Sequence, residues 1–163
     1  LHIGIVRGDF AGYDGYDGYE SMELMKEKVY IVSKEKFKLS DLPRMPQISY
    51  SRDIYMQKMI GEWWRRNFGD RLVQGMDLSN VEAAKGMVAV GLGYIFVTER
   101  LIPDTWKAYY KLAMTDTEGN PIMRKTSLVV PRICLDMETV KQFKLFVEEL
   151  YDEKNVNNGF YNE

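Results

Sequence analysis

The chain has 163 residues, of which 45% are apolar and 28% charged, and a net charge of −2. These values fit one globular domain, or a two-lobed unit whose lobes share strands, and they argue against a nucleic-acid surface, which needs a basic balance or a basic stripe. One cysteine, Cys134, and one histidine, His2, exclude a disulfide framework and a thiolate metal cluster, and they leave no partner set for serine, cysteine or zinc catalysis. No apolar run reaches the roughly 18 residues of a membrane span. Leu1–Phe10 is interrupted by Arg7 and Asp9 and does not read as a secretory signal.

In chain order, Leu1-His-Ile-Gly-Ile-Val6 reads as a short parallel-type strand, apolar on both faces, and its start in mid-strand predicts a fragment. Residues 11–20 repeat Tyr-Asp-Gly and read as a loop. Asp14, Asp17 and Glu20 there lack the EF-hand spacing, so no metal site is expected. Lys28–Ser33 is a β-branched and aromatic strand, Leu39–Pro46 a connection with two prolines, and Gln47–Tyr50 another short strand. Asp53 stands at an N-cap position before a helix over Ile54–Phe68, which Gly69 closes. Trp63 and Trp64 are adjacent, about 100° apart on a helix, so one faces the core and the other is free for a subunit contact.

Leu72–Met76 reads as a third strand. Ser79 then caps a helix over Asn80–Val90, with Glu82 completing a capping box. The tight turn Gly91-Leu-Gly93 leads into the buried strand Tyr94–Val97. Ala108–Thr115 and Ile122–Val130 form a hairpin around Asp116–Pro121. Asp136 caps a last helix, Glu138–Tyr151, whose core face is Val140, Phe143, Phe146, Val147 and Leu150. Cys134 reads as an inert buried thiol. The alternation of strands with capped helices predicts an α/β fold with a mainly parallel sheet and an antiparallel hairpin, whose ligand edge lies at the strand ends.

Three stretches carry a family resemblance: Leu1–Gly8, Met22–Ser33 and, most specifically, Val81-Glu-Ala-Ala-Lys-Gly-Met-Val-Ala-Val-Gly-Leu-Gly-Tyr-Ile-Phe-Val97. Their order and spacing resemble the effector-binding domain of LysR-type transcriptional regulators over residues 1 to about 151, and Leu135–Leu150 resembles the closing helix of that domain. His2, where the family often has aspartate, and Thr98-Glu99, where a proline is usual, mark a divergent member.

The resemblance implies a type 2 periplasmic-binding-protein-like fold of two lobes. Residues 22–131 form the complete second lobe, and 1–21 with 132–163 form part of the first. A DNA-binding winged helix-turn-helix then lies outside this chain. The resemblance also implies a cytoplasmic homodimer or homotetramer that senses a small organic effector, a carboxylate among the candidates, between its lobes. It implies no cofactor, no membrane partner and no enzymatic activity, and DNA is contacted only through the absent domain. Arg7 matches an arginine able to hold a carboxylate; the competing reading pairs it with Asp9. Tyr50, Ser51 and Arg52 precede one helix N-terminus and Met76 and Asp77 precede the other, where capping alone is the competing reading. Val97 and Thr98 end the short strand, as cleft lining or as core. A solute-binding protein of the same fold and a ligand-free oligomerisation module are the alternative functions.

Overall fold

The computed structural model describes residues 3–8, 18–50, 53–69, 72 and 75–158, with side chains as far as residue 151. Its strands are β1 (Gly4–Arg7), β2 (Tyr19–Ser33), β3 (Gln47–Ser49), β4 (Met76–Asp77), β5 (Tyr94–Thr98), β6 (Tyr110–Ala113) and β7 (Met123–Pro131). The α-helices are α1 (Ile54–Phe68), α2 (Val81–Ala89) and α3 (Glu138–Asn158). The chain divides into two compact units, one of residues up to Lys26 and from Lys125, the other Glu27–Arg124.

In the second unit β5 lies between β2, antiparallel to it, and β3, parallel to it, and β4 extends the parallel part beyond β3. Alternation along β5 explains its unbroken apolar run. Tyr94 and Phe96 face a core with Met56, Ile60, Trp63 and Trp64 of α1. Ile95 and Val97 face Ala84 and Val88 of α2, with Trp106. A strand covered by helices on both faces has no solvent side, hence no polar alternation. Burial also pushes the Tyr94 phenol far above its ordinary range.

The Gly-Leu-Gly turn has a backbone reason. Gly91 has φ +82°, and a Cβ on Gly93 would stand 2.1 Å from the Pro46 carbonyl oxygen. That same oxygen accepts from Tyr94 N at 3.0 Å. Close approach here brings β5 alongside β3 in parallel register, Gln47 opposite Tyr94.

In the first unit β1 pairs antiparallel with β7, Gly4 opposite Val129 and Arg7 opposite Thr126. Leu24, Leu128 and Val130 pack with Val140 and Val147 of α3, and Lys144 of α3 donates to Glu20 of β2.

Several sequence expectations are corrected. β1 is antiparallel, with Ile5 and Arg7 exposed on alternate positions, because its described neighbour is β7. β2 begins at Tyr19 rather than Lys28. Of the third strand expected over Leu72–Met76, the described residues show β4 at Met76–Asp77, while 73 and 74 lie outside them, and the strand pairing is mixed.

The hairpin survives only at its turn, where Thr115 bridges Pro121. β6 instead pairs with Tyr30–Ser33 of β2, and Val29 of that strand bonds both Met114 N and Ile122 O. A 15-residue strand has more edge than one short partner can fill, so it takes β6 and then the β7 segment in succession. Asn80, not Ser79, caps α2, accepting from Ala83 N at 2.9 Å. Asp136 precedes the residue whose carbonyl opens α3, which is Met137.

Both tryptophans are buried, Trp63 at 2% and Trp64 at 4% exposure, so neither is left for a subunit contact. Trp63 Nε1 donates to Thr115 O at 3.1 Å and meets Phe96 edge-on, while Trp64 packs on Phe68 at 4.4 Å. The β6–β7 turn and the helix's own C-terminal Phe68 cover the flank that an isolated helix would expose. Conversely Phe143, Phe146 and Leu150 of α3 are exposed, because the sheet meets only the Val140/Val147 stripe.

Two measurements check these points. Gly93→Ala forces the Pro46–Gly93 contact apart and lowers unfolding free energy by roughly 2–3 kcal/mol, the scale of overpacking, in denaturant titration. At the turn, amides of Asn120, Glu118 and Gly119 donate to Asp116, and these bonds hold its carboxyl below the ordinary range. Its folded pKa being the lower one, the turn's contribution is complete above the ordinary aspartate value near ~3.9 and is lost as pH falls through the depressed folded value. NMR titration should find the Asp116 midpoint below that of a free aspartate, and Asp116→Asn should flatten the acid limb of the stability profile.

Candidate functional site

The C-terminal ends of β4, β3 and β5 lie side by side, since all three run parallel: Ser49 is opposite Asp77 and Ile48 opposite both Met76 and Ile95. Tyr50, Asp77 and Thr98 therefore stand along one sheet edge, the edge where open α/β sheets take ligands. Leu78 N donates to Ser49 O at 2.8 Å and extends the β3–β4 ladder to this edge. Asp77 is exposed and Met76 and Tyr50 are half-buried, whereas Val97 and Thr98 are fully buried in the core. Ser51 and Arg52 fall outside the described residues. Arg7 belongs to the first unit; it is exposed, and no ion pair is found for it among the described residues. Asp9, its alternative partner, is also outside the described residues.

Both helix N-termini at this edge are capped from within. Asp53 accepts from Tyr55 N at 3.0 Å and Met56 N at 3.2 Å, and Asn80 closes α2. Asp53 also takes Arg124 Nη2 at 2.6 Å. Arg124 is buried, Asp53 about a quarter exposed. The Asp53 carboxylate already occupies the first-turn amides that an incoming anion would need, and Arg124 neutralises that carboxylate. Arg124 Nε, Thr126 Oγ1 and Gln47 Oε1 are buried without hydrogen-bond partners. Such groups are uncommon, and each costs about 1–3 kcal/mol when left unpaired.

Gln47 lies on the wall of a pocket of about 40 Å³, which also has Ser49, Tyr50, Met56, Gln57 and Phe96 in its lining. Arg124, Thr126 and Gln47 were not singled out from the sequence. The available signal was a polar residue at a core-facing strand position: Gln47 and Ser49 flank Ile48, and Arg124 and Thr126 alternate with Lys125. No group of three or more metal-ligating side chains occurs among the described residues. No described helix is long and apolar enough to cross a membrane.

Two compact units threaded by the chain, with parallel strand ends and capped helix N-termini along one sheet edge, place the chain in the class of two-lobed α/β domains. Residues 1–152 match the family model of the LysR substrate binding domain, and the chain belongs to that family. It is 29% identical over 148 residues to an uncharacterized HTH-type transcriptional regulator, YraN of Bacillus subtilis strain 168, covering 91% of this chain and 49% of that protein. The chain spans about half the length of the curated relatives it matches. Among solved structures, the bromide-bound regulatory domain of HypT from Salmonella typhimurium superposes with a TM-score of 0.71 at 15% identity, over 93% of this chain and 73% of that one. The effector binding domain of a BenM variant does so at 0.65 and 13% identity, over 95% and 73%. These structural likenesses establish the two-lobed type 2 binding-protein fold.

The Asp53–Arg124 pair yields a stability prediction. Asp53→Ala removes the α1 cap and leaves a buried guanidinium unpaired, a loss of about 3 kcal/mol given the partial exposure of Asp53. Asp53→Asn keeps the cap acceptor and loses roughly 1–2 kcal/mol. Urea denaturation of the two variants gives the order; equal losses would show that the cap contributes nothing beyond the ion pair.

Proposed function

We propose that this domain is the effector-sensing and oligomerisation part of a DNA-binding transcription regulator. The observation that carries the reading is the family match across residues 1–152. The full-length protein acts in the cytoplasm without enzymatic activity, as a homodimer or homotetramer. It contacts DNA through a winged helix-turn-helix outside this chain. Residues 22–131 serve as the second lobe; 1–21 and 132–163 belong to a first lobe that further chain completes. The exposed Phe143, Phe146 and Leu150 stripe supports this, as does the greater length of the matched regulatory domains.

The effector is a small organic molecule bearing a carboxylate. Arg7, with its planar fork and no ion pair among the described residues, holds that group, and Tyr50, Ser51, Arg52, Met76, Asp77, Val97 and Thr98 contribute the strand-end surface. The HypT regulatory domain is described with a bromide ion bound, which supports an anionic ligand for this domain. The buried Val97 and Thr98 act by shaping the edge rather than by touching ligand.

A carboxylate library screened by calorimetry against the full-length protein provides the test. A hit should bind at least tenfold more weakly to Arg7→Gln, roughly the value of one charge-assisted hydrogen bond, and should alter promoter binding by the full-length protein but not by the variant. Binding unaffected by Arg7→Gln removes Arg7 from the site, and a screen without hits points to a ligand-free oligomerisation module.

A further inference from the structure

We propose that the cleft between the β5–β6 connection, residues 99–109, and the sheet face of β2 and β6 binds a zwitterion. The ligand class is an α-amino acid or short peptide, its ammonium and carboxylate each held by opposite charges on the rim. This site lies wholly in the second unit and does not rest on the effector reading. Tyr30 of β2 and Lys111 of β6 form its floor. Tyr30 is opposite Ala113 and Val32 opposite Lys111, so these four share the sheet face that α2 and Trp106 cover over β5. On that face β6 offers Lys111 and the small Ala113, and β2 is its one strand neighbour among the described residues. The cleft has a volume of about 410 Å³, in the range of small-molecule sites.

The opposite wall is held by its own bonds. Ile102 N donates to Glu99 O at 3.2 Å and Trp106 N to Pro103 O at 2.9 Å, and the buried Trp106 stacks on Tyr109 at 5.0 Å. This segment sets Glu99, Asp104 and Lys107 around the cleft, with Ile102 and Pro103 as its apolar part. None of Glu99, Asp104, Lys107 and Lys111 makes an ion pair or side-chain hydrogen bond among the described residues. Spacing does not account for that. Elsewhere an acid followed three residues later by a base closes, as in Glu23–Lys26 at 3.3 Å, Asp41–Arg44 at 3.8 Å and Glu82–Lys85 at 2.9 Å. Asp104 and Lys107 have the same spacing and stay unpaired on the rim of the cleft. A simple anion or cation entering here meets two like charges beside its two partners, whereas a zwitterion answers both signs. Ile102, Pro103 and the Tyr30 ring suit an apolar side chain on that ligand.

Calorimetry on the full-length protein with leucine, phenylalanine and leucylglycine tests the site, beside N-acetylleucine, which lacks the ammonium, and leucinamide, which lacks the carboxylate. At least one zwitterion should bind saturably with a Kd of roughly 1 mM or tighter, within reach of ligands of this size. Each blocked compound should bind at least tenfold more weakly, roughly the value of one charge-assisted hydrogen bond. Binding of leucine or phenylalanine marks free amino acids as the source; binding of leucylglycine alone marks a peptide. Two double variants, Glu99→Gln with Asp104→Asn and Lys107→Gln with Lys111→Gln, change exposed side chains only and should leave thermal denaturation unchanged. Each should weaken the zwitterion at least tenfold, while Arg7→Gln should not, which separates this site from carboxylate binding at Arg7. The proposal is overturned if no zwitterion binds below about 10 mM, or if the blocked compounds bind equally. Affinity unchanged in either double variant, or lost in Arg7→Gln, overturns it as well.

Discussion

Asp53 is held by three donors at once: two backbone amides of the first turn of α1 and the buried guanidinium of Arg124. The arrangement satisfies orphan amides at a helix start and neutralises a buried cation with the same carboxylate. It also fixes where α1 begins, and therefore which residues of that helix meet the sheet. Met56, Ile60, Trp63 and Trp64 follow from that start and fill the core against Tyr94 and Phe96.

The same carboxylate sets the electrostatics of the strand-end edge. An uncapped helix N-terminus attracts anions; at α1 the first-turn amides are already taken by Asp53. Beside that matched charge pair the β3–α1 region carries the neutral polar side chains of Gln47 and Ser49.

The second constraint is the backbone contact between Gly93 and Pro46. It brings β5 to β3 in parallel, and without parallel strands the ends of β3, β4 and β5 would not share an edge. The Gly-Leu-Gly turn was legible in the sequence as a turn. Its partner Pro46 was not, since it lies 47 positions before Gly93 and no local pattern records which carbonyl a glycine must clear.

By itself the sequence determined the elements that local chemistry governs. Asp53 and Gly69 bound α1 as expected, and the turn chemistry of Asp116–Pro121 appears as a turn. The unbroken apolar run Tyr94–Val97 appears as a doubly covered strand, and motif order pointed to the family. Only the tertiary structure decided which edges of β2 take β5, β6 and β7, and that both Trp63 and Trp64 are buried. It likewise decided that Phe143 and Phe146 are exposed, and that Arg124 answers Asp53 from 71 residues away. Each of these depends on what a face or an edge meets across long sequence separation. Periodicity announces a face and a cap announces an end, but neither names the partner.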